Sequence, residues 1–218
     1  MKLEFITTGD NSPSLYNEAL NETYHSRHGA RQESEHVYIK SGLNELQHLA
    51  HIRVFEMGFG TGLNILLTHG FSELHNTKIE ITSIELYPLG KEIWSQLDYS
   101  VNPNEKNVFR KLQELSWEER GVVSDNMTLL KRKVGLEDIQ YQNEFDIIFY
   151  DAFGPDKQPH LWTPAIFSKL YNLLDKNGVF VTYSAKGQVR RDLVSAGFEV
   201  ERIQGPPGKR EMLRARKK

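Results

Sequence analysis

The 218-residue chain has no cysteine, which excludes a disulfide framework, a thiolate metal site and a cysteine nucleophile. It has no internal repeat or low-complexity tract, and no apolar run long enough to cross a bilayer. The opening residues, MKLEFITTGDNSPSLY, lack the charged start and apolar stretch of a signal peptide. A soluble, cytoplasmic protein with no membrane contact and no metal site is the expectation. An excess of one charge sign is also missing: 27 Lys and Arg stand against 29 Asp and Glu, a net charge of −2. The tail GKREMLRARKK departs from this balance, with Lys209, Arg210, Arg214, Arg216, Lys217 and Lys218 against Glu211 alone. It reads either as a solvated terminus or as part of a phosphate-binding face.

Residues 1 to about 50 are polar and irregular, with GDNSPS as a turn cluster. The stretch ESEHVYIKSGLNELQHLA reads as one or two helical segments broken near Gly42. Strands and helices then alternate. IRVFEM, KIEITSIELYP, NMTLLKRKV, FDIIFYDAF and GVFVTYS read as strands. GLNILLTHGFSEL, LGKEIWSQL, NEKNVFRKLQELSWEER, PAIFSKLYNLL and KGQVRRDLVSAG read as helices. FEVERIQ and REMLRARK are final strands joined only by GPPGK, so they should pair antiparallel. The pattern predicts an α/β fold: a mostly parallel sheet with helices on both faces and an antiparallel C-terminal hairpin. Residues 1–50 are expected to form an N-terminal extension packing on a catalytic domain over 51–218. Ligands of such sheets bind outside the carboxyl ends of the strands, where the winding direction switches.

The stretch VFEMGFGTGLNILLTHG falls at such a strand end. Gly58, Gly60 and Gly62 alternate there, with Phe59 and Thr61 between them and Glu56 two residues ahead. Dinucleotide loops read G-x-G-x-x-G and seat a diphosphate on a helix N-terminus. A carboxylate beside that place repels a diphosphate and suits a cation. The pattern therefore points to S-adenosylmethionine, which carries an ammonium and a sulfonium and no phosphate. The alternative is a strand-to-helix turn whose glycines serve packing. Glu85 ends the second strand, 25 residues beyond Gly60 and next to Leu86, where an acid accepts hydrogen bonds from ribose hydroxyls. Asn64 either orients a cofactor group or caps locally. Asp151 lies where the buried run Phe145–Tyr150 leaves the sheet. It either handles an amine or caps its own loop. Phe153 and Trp162, with Pro155 and Pro159, suggest a stiff loop with a flat wall for a ring.

The blocks FEMGFGTGLN, SIELYPL, YDAFGPDKQPHLWTPAIF and GPPGKREML, with NETYHSRHGARQESEHVYI near the start, resemble the methyltransferase of the MnmC family of tRNA-modifying enzymes. The resemblance covers nearly the whole chain and is closer to the stand-alone form without an oxidase domain. It implies the class I S-adenosylmethionine-dependent methyltransferase (Rossmann-like) fold, seven strands with the last antiparallel. The implied reaction methylates the 5-aminomethyl group of a modified, often 2-thiolated, wobble uridine in the tRNA anticodon loop. Glu56, Gly58, Gly60, Gly62 and Glu85 match the family's cofactor positions. Asp151 matches its substrate-facing aspartate, Trp162 that block's tryptophan, and Lys209 and Arg210 its basic pair. Val134 stands where the family often has an acid facing adenine, which leaves that role to backbone or to Glu137. A separate enzyme is expected to supply the aminomethyl precursor.

An alkyl amine with a pKa near 10 is mostly ammonium at neutral pH, and an ordinary Asp near 3.9 is about six units too acidic to take its proton. Either burial raises the pKa of Asp151, or the amine binds neutral and the carboxylate aims it; the second is expected. Phosphate contacts are expected from Lys186, Arg190, Lys209 and Arg210, although Arg190 and Arg191 also read as solvent-facing helix charges. Phe153 and Trp162 are the nominees for stacking on a splayed base, or else they are core. Two other readings share the fold: an aminopropyltransferase of the polyamine-synthase kind, and a non-catalytic tRNA-binding module.

Overall fold

Val54, Ile81, Ile147 and Phe149 face one side of a central sheet, and Phe55, Ile148 and Tyr150 face the other; all are fully buried. Strands buried on both faces must be covered by helices on both faces, and the computed structural model, which describes residues 2–218, has that arrangement. In chain order the elements are β1 (Leu3–Thr7), β2 (Pro13–Asn17), β3 (Glu22–Thr23), α1 (Ala30–Ser34), β4 (His51–Met57), α2 (Leu63–His75), β5 (Lys78–Ile84), α3 (Lys91–Trp94), α4 (Pro103–Glu114), β6 (Arg120–Ser124), β7 (Met127–Arg132), β8 (Phe145–Tyr150), α5 (Pro164–Leu173), β9 (Leu174–Thr182), α6 (Gly187–Ser195), β10 (Glu199–Gln204) and β11 (Glu211–Arg216). A π-helical turn (Glu35–Lys40) continues α1, and a 3-10 turn (Leu43–Leu46) follows it.

Local chemistry sets the helix ends. Asn102 accepts a hydrogen bond from the Glu105 amide at the start of α4, with Pro103 in the first turn. Thr163 and Pro164 do the same for α5. Both pairs satisfy the rule that the first turn needs a side-chain acceptor and tolerates a missing N–H. Asn76, in the left-handed region, ends α2.

The main sheet runs β10-β11-β9-β8-β4-β5-β7-β6. β9, β8, β4, β5 and β7 are parallel, and β11 lies antiparallel against both β9 and β10. This is the class I methyltransferase arrangement with its antiparallel C-terminal hairpin. The sheet has eight strands rather than the seven expected. The helix read through Arg120 stops at Glu114, and β6 then pairs antiparallel with β7 as an extra edge strand. A second correction concerns residues 1 to 50. They are not irregular: β1, β2 and β3 form their own antiparallel sheet, and Leu15, Ala30, Val37, Tyr38 and Leu43 join the core on the α2 side. The tail is not frayed either. Arg214 pairs with Glu45 at 2.6 Å and with Glu201 at 2.9 Å, and Arg216 pairs with Glu45. No helix among the described residues is long and apolar enough to cross a membrane.

Candidate active site

From β4 the chain winds one way through β5 and β7, then crosses back to β8 on the other side of β4. The crevice of a doubly wound sheet opens at that reversal. Met57 of β4 pairs with Tyr150 of β8, so the residues that follow, Gly58 and Asp151, emerge side by side. The Asp151 amide donates to Met57 O at 3.1 Å. Gly58 has φ +94°, and a Cβ on it would stand 3.0 Å from the Asp151 carbonyl oxygen. Gly62, the N-cap of α2, has φ +80°, and a Cβ there would strike the Gln113 side chain at 2.8 Å. Glycine is needed at both places because the backbone is left-handed and its neighbours are close.

A cavity of about 1,610 Å³ lies over this crevice. Small-molecule sites commonly hold about 300–1,000 Å³, so there is room for a nucleoside-sized ligand and a second group. Its wall includes Gly58, Phe59, Gly60, Thr61, Asn64, Glu85, Leu86 and Asp151. The Glu85 carboxylate accepts from the Gly60 amide at 3.1 Å and the Tyr87 amide at 2.9 Å, which fixes the acid at the cavity edge. Phe153, Lys186, Lys209 and Arg210 also line the cavity.

Asp151 is the centre of a polar group. Asn64 Nδ2 donates to its Oδ2 at 2.8 Å. The buried hydroxyl of Tyr38 lies near the same carboxyl but makes no hydrogen bond among the described residues. Burial pushes the Asp151 carboxyl up to about 6, against the pull of Tyr38, Asn64 and the more distant Lys209. Both routes open to a carboxylate facing an amine are thus in play: its affinity for a proton is raised, and its direction is fixed.

Three nominated residues are placed otherwise. Glu56 is 0 % exposed and accepts from Ser83 Oγ, so it lies beneath the loop and not on the cavity wall. Burial raises its carboxyl well above the usual range, and Asp151 and Glu85 add to the effect. Trp162 is buried at 5 % exposure; its indole N–H donates to Phe153 O at 2.8 Å, and its ring packs against Tyr150, so it stiffens the loop instead of offering a stacking face. Arg190 sits exposed on α6, away from the cavity. Lys209 is on the wall but is not a free cation: its ammonium pairs with Glu33 at 2.8 Å and stands 4.1 Å from the Tyr183 ring centroid. Lys186 is likewise paired with Asp156.

The N-terminal segment supplies wall residues that no single-residue reading nominated: Tyr24, His25, Arg27, His28 and Glu33. Tyr24 meets Phe153 edge-on, 5.1 Å between centroids. His25 bridges Ser14 Oγ at 3.0 Å and Thr61 Oγ1 at 3.2 Å. Burial lowers its pKa to about 4, so the ring is neutral. The only signal for these residues was that NETYHSRHGARQESEHVYI belongs to the family resemblance.

The glycine cradle, the acid at Glu85 and the carboxylate at Asp151 fit a cationic nucleoside such as S-adenosylmethionine, and they oppose a diphosphate. Comparison with known proteins agrees. A family model described as S-adenosyl-L-methionine-dependent methyltransferase matches residues 105–218, which include Asp151 and Lys209. The chain is 28% identical over 221 residues to the tRNA 5-methylaminomethyl-2-thiouridine biosynthesis bifunctional protein MnmC of Burkholderia thailandensis, covering 87% of this chain and 31% of that protein. It is 30% identical to the protein of the same description from Idiomarina loihiensis, covering 89% and 35%. It thus spans about a third of the length of these curated relatives. A crystal structure of MnmC2 from Aquifex aeolicus superposes with a TM-score of 0.83 at 26% identity, covering 98% of this chain and 70% of that one. A spermidine synthase from Thermotoga maritima, at 14% identity and TM-score 0.57, shares the fold alone.

Proposed function

The chain belongs to the S-adenosyl-L-methionine-dependent methyltransferases, and from that premise we propose that it methylates the 5-aminomethyl group of a modified wobble uridine in a tRNA anticodon loop. The observation that carries this is the Asp151 carboxyl, held by Asn64 at the cavity beside the glycine loop. An amine acceptor needs such a group, because its lone pair must be freed and held in line with the methyl carbon. Alignment of two bound reactants removes roughly 7–11 kcal/mol of barrier.

S-adenosylmethionine supplies the electrophilic methyl group. Gly58, Gly60 and Gly62 would give it backbone approach, and Glu85 would accept from its ribose. Asp151 holds the acceptor nitrogen. With Asp151 near 6 and an alkyl amine near 10, proton transfer to the carboxylate is uphill by about 5 kcal/mol. The carboxylate therefore acts mainly on the neutral amine, orienting it and stabilising the cation that forms as the N–C bond is made. Phe153 and Tyr24 form an aromatic corner for a splayed base. Arg210, exposed on the cavity wall and without an ion pair among the described residues, is a free basic group for a phosphate. Residues 1–50 act as an extension that closes the acceptor side of a methyltransferase domain over 51–218. A separate protein supplies the aminomethyl precursor.

The test is labelled methyl transfer to tRNA carrying 5-aminomethyluridine at the wobble position, followed by mass spectrometry of the nucleosides. A gain of one methyl on that nucleoside is expected, with Asp151→Asn slower by about 10²–10⁴-fold. No methyl transfer with S-adenosylmethionine bound, or aminopropyl transfer when decarboxylated S-adenosylmethionine is supplied instead, would reject the assignment.

A further inference from the structure

Along β7 the buried positions are Met127, Leu129 and Lys131. The first two join the core with Phe109 and Leu112 of α4. The third places an ammonium where the alternation calls for an aliphatic side chain. Lys131 is 1 % exposed, and burial lowers its pKa to about 8. A buried cation is costly unless its surroundings offset the lost water. Here Nζ donates to Leu112 O and to Gln113 O, both at 2.9 Å. These carbonyls end α4, where a helix has unpaired acceptors and its negative pole. The rings of Phe59 and Trp117 lie 5.2 and 5.0 Å from the same ammonium, close enough for attraction by the ring faces.

A helix end can be capped without a cation, so the other groups tied to this one are informative. Phe59 is the loop residue between Gly58 and Gly60. Gln113, whose carbonyl Lys131 holds, sends its side chain to the same loop. Its Nε2 donates to Thr61 O at 2.7 Å and is the atom that a Cβ on Gly62 would strike. Phe59, Gly60 and Thr61 line the cavity, whereas Lys131 and Gln113 stand behind it. The other ends of the loop are held separately: the Gly58 and Phe59 amides donate to Ile84 O at 3.0 and 3.1 Å, and the Gly60 amide to Glu85. Lys131 and Gln113 thus secure the stretch from Phe59 to Gly62 from its buried side.

We propose that Lys131 and Gln113 are positioning residues for the cofactor: the Lys131 ammonium fixes the end of α4 so that Gln113 presents its amide to Thr61 O, and together with the Phe59 ring on the same cation this holds the glycine loop in its binding shape before S-adenosylmethionine arrives. Neither residue touches the cofactor; both act through the loop. The inference depends on the cofactor and not on the identity of the methyl acceptor.

Amide exchange and calorimetry on the intact protein test it. Without cofactor, the Gly60 and Gly62 amides should exchange about tenfold faster in Lys131→Met than in wild type, because the loop opens locally more often. S-adenosylmethionine should bind about tenfold more weakly to that variant, since the loop's order must then be supplied on binding. The loss should appear in KM for the cofactor and not in kcat. Gln113→Leu keeps the lysine and removes only the donor to Thr61, and should weaken binding about fivefold. The double variant should bind within about twofold of Lys131→Met alone, because the two residues act in series; losses that multiply would overturn the relay. A lower Tm in Lys131→Met with wild-type exchange and affinity would make Lys131 a helix cap and overturn the proposal. If Lys131→Met does not fold, Gln113→Leu decides: wild-type exchange at Gly62 and wild-type affinity refute the idea. The exchange readout needs neither cofactor nor tRNA, so a failure to methylate the wobble uridine leaves it standing.

Discussion

At the scale of the residue, Asp151 links stability to chemistry. Its folded pKa, about 6, lies above its ordinary value of 3.8 because burial penalises the charge. The folded protein therefore holds this proton more tightly than the unfolded chain does. Stability from this group is full below about 3.8 and is lost as pH rises through 6. At neutral pH the charge is retained at a cost on the order of 1–3 kcal/mol. Asp151→Asn is expected to remove activity and to raise Tm at pH 7.5 but not at pH 4, a difference that differential scanning calorimetry at the two pH values resolves. The wild-type rate, which needs the charged form, should fall below about pH 6. Gly58→Ala tests the backbone that brings Asp151 to the cofactor. Its Cβ would press on the Asp151 carbonyl at 3.0 Å from a left-handed backbone. A stability loss of about 1–3 kcal/mol should accompany weaker cofactor binding, both measurable by thermal shift with and without S-adenosylmethionine. The glycines, Glu85 and Asp151 were legible in the sequence because strand-end position and spacing place them. Glu56 was placed at the right turn but given the wrong environment. Its burial depends on Ser83 across a parallel strand pair, and no local pattern records that. Of the two readings left open for Trp162 the structure has the core one, and the Glu33 partner of Lys209 could not be read either, because Phe153 O and Glu33 become partners only in the folded chain.

At the scale of the element, the alternating strands and helices from β4 to α6 and the closing hairpin could be read from periodicity and turn residues. The N-terminal sheet could not. β1 is largely exposed, and β3 is two residues long, so neither carries a strong alternating pattern. β6, a short edge strand, is similarly faint. The N-terminal segment is held to the rest by side chains more than by sheet pairing. Arg31 of α1 forks onto Glu105 of α4 at 2.9 and 3.1 Å and donates to Tyr99 O at 2.8 Å. A planar fork of this kind is not reproduced by lysine. Arg31→Lys and Arg31→Ala should both destabilise, the alanine by about 1.5–3 kcal/mol, which for a chain of this size is a Tm drop of roughly 3–12 °C. Since His25 and Glu33 reach the site from the same segment, cofactor affinity should weaken in step. A drop in Tm with unchanged affinity would show that this fork holds only the outer face.

At the scale of the whole molecule, a net charge of −2 offers no general attraction for a polyanion, so the proposed RNA affinity would have to come from where the positive groups stand. Most of the tail bases are already engaged. Arg214 and Arg216 hold Glu45, Lys217 caps Leu174 O, and Lys209 holds Glu33. Such cations are neutralised locally and release few counter-ions when a phosphate arrives. Arg210 is exposed on the cavity wall, and Arg202 beside it has only a 3.9 Å contact with Glu211. Each free phosphate contact contributes about 0.7–0.9 to the slope of log affinity against log salt. Arg210→Ala with Arg202→Ala should therefore weaken binding of an anticodon stem-loop and flatten that slope by about 1.4–1.8, leaving cofactor affinity as it was. Arg190→Ala, at an exposed position of α6 outside the cavity lining, should change neither. Lys209→Ala should act differently again: by freeing Glu33 beside Asp151 it should lower kcat and shift the acid limb upward, with a salt slope close to wild type. Fluorescence anisotropy of the stem-loop across a salt series, beside the pH–rate profile, separates the two kinds of basic residue. If Lys209→Ala flattens the slope as much as the arginine pair does, the ion pair with Glu33 opens on binding, and the lysine is a phosphate ligand after all.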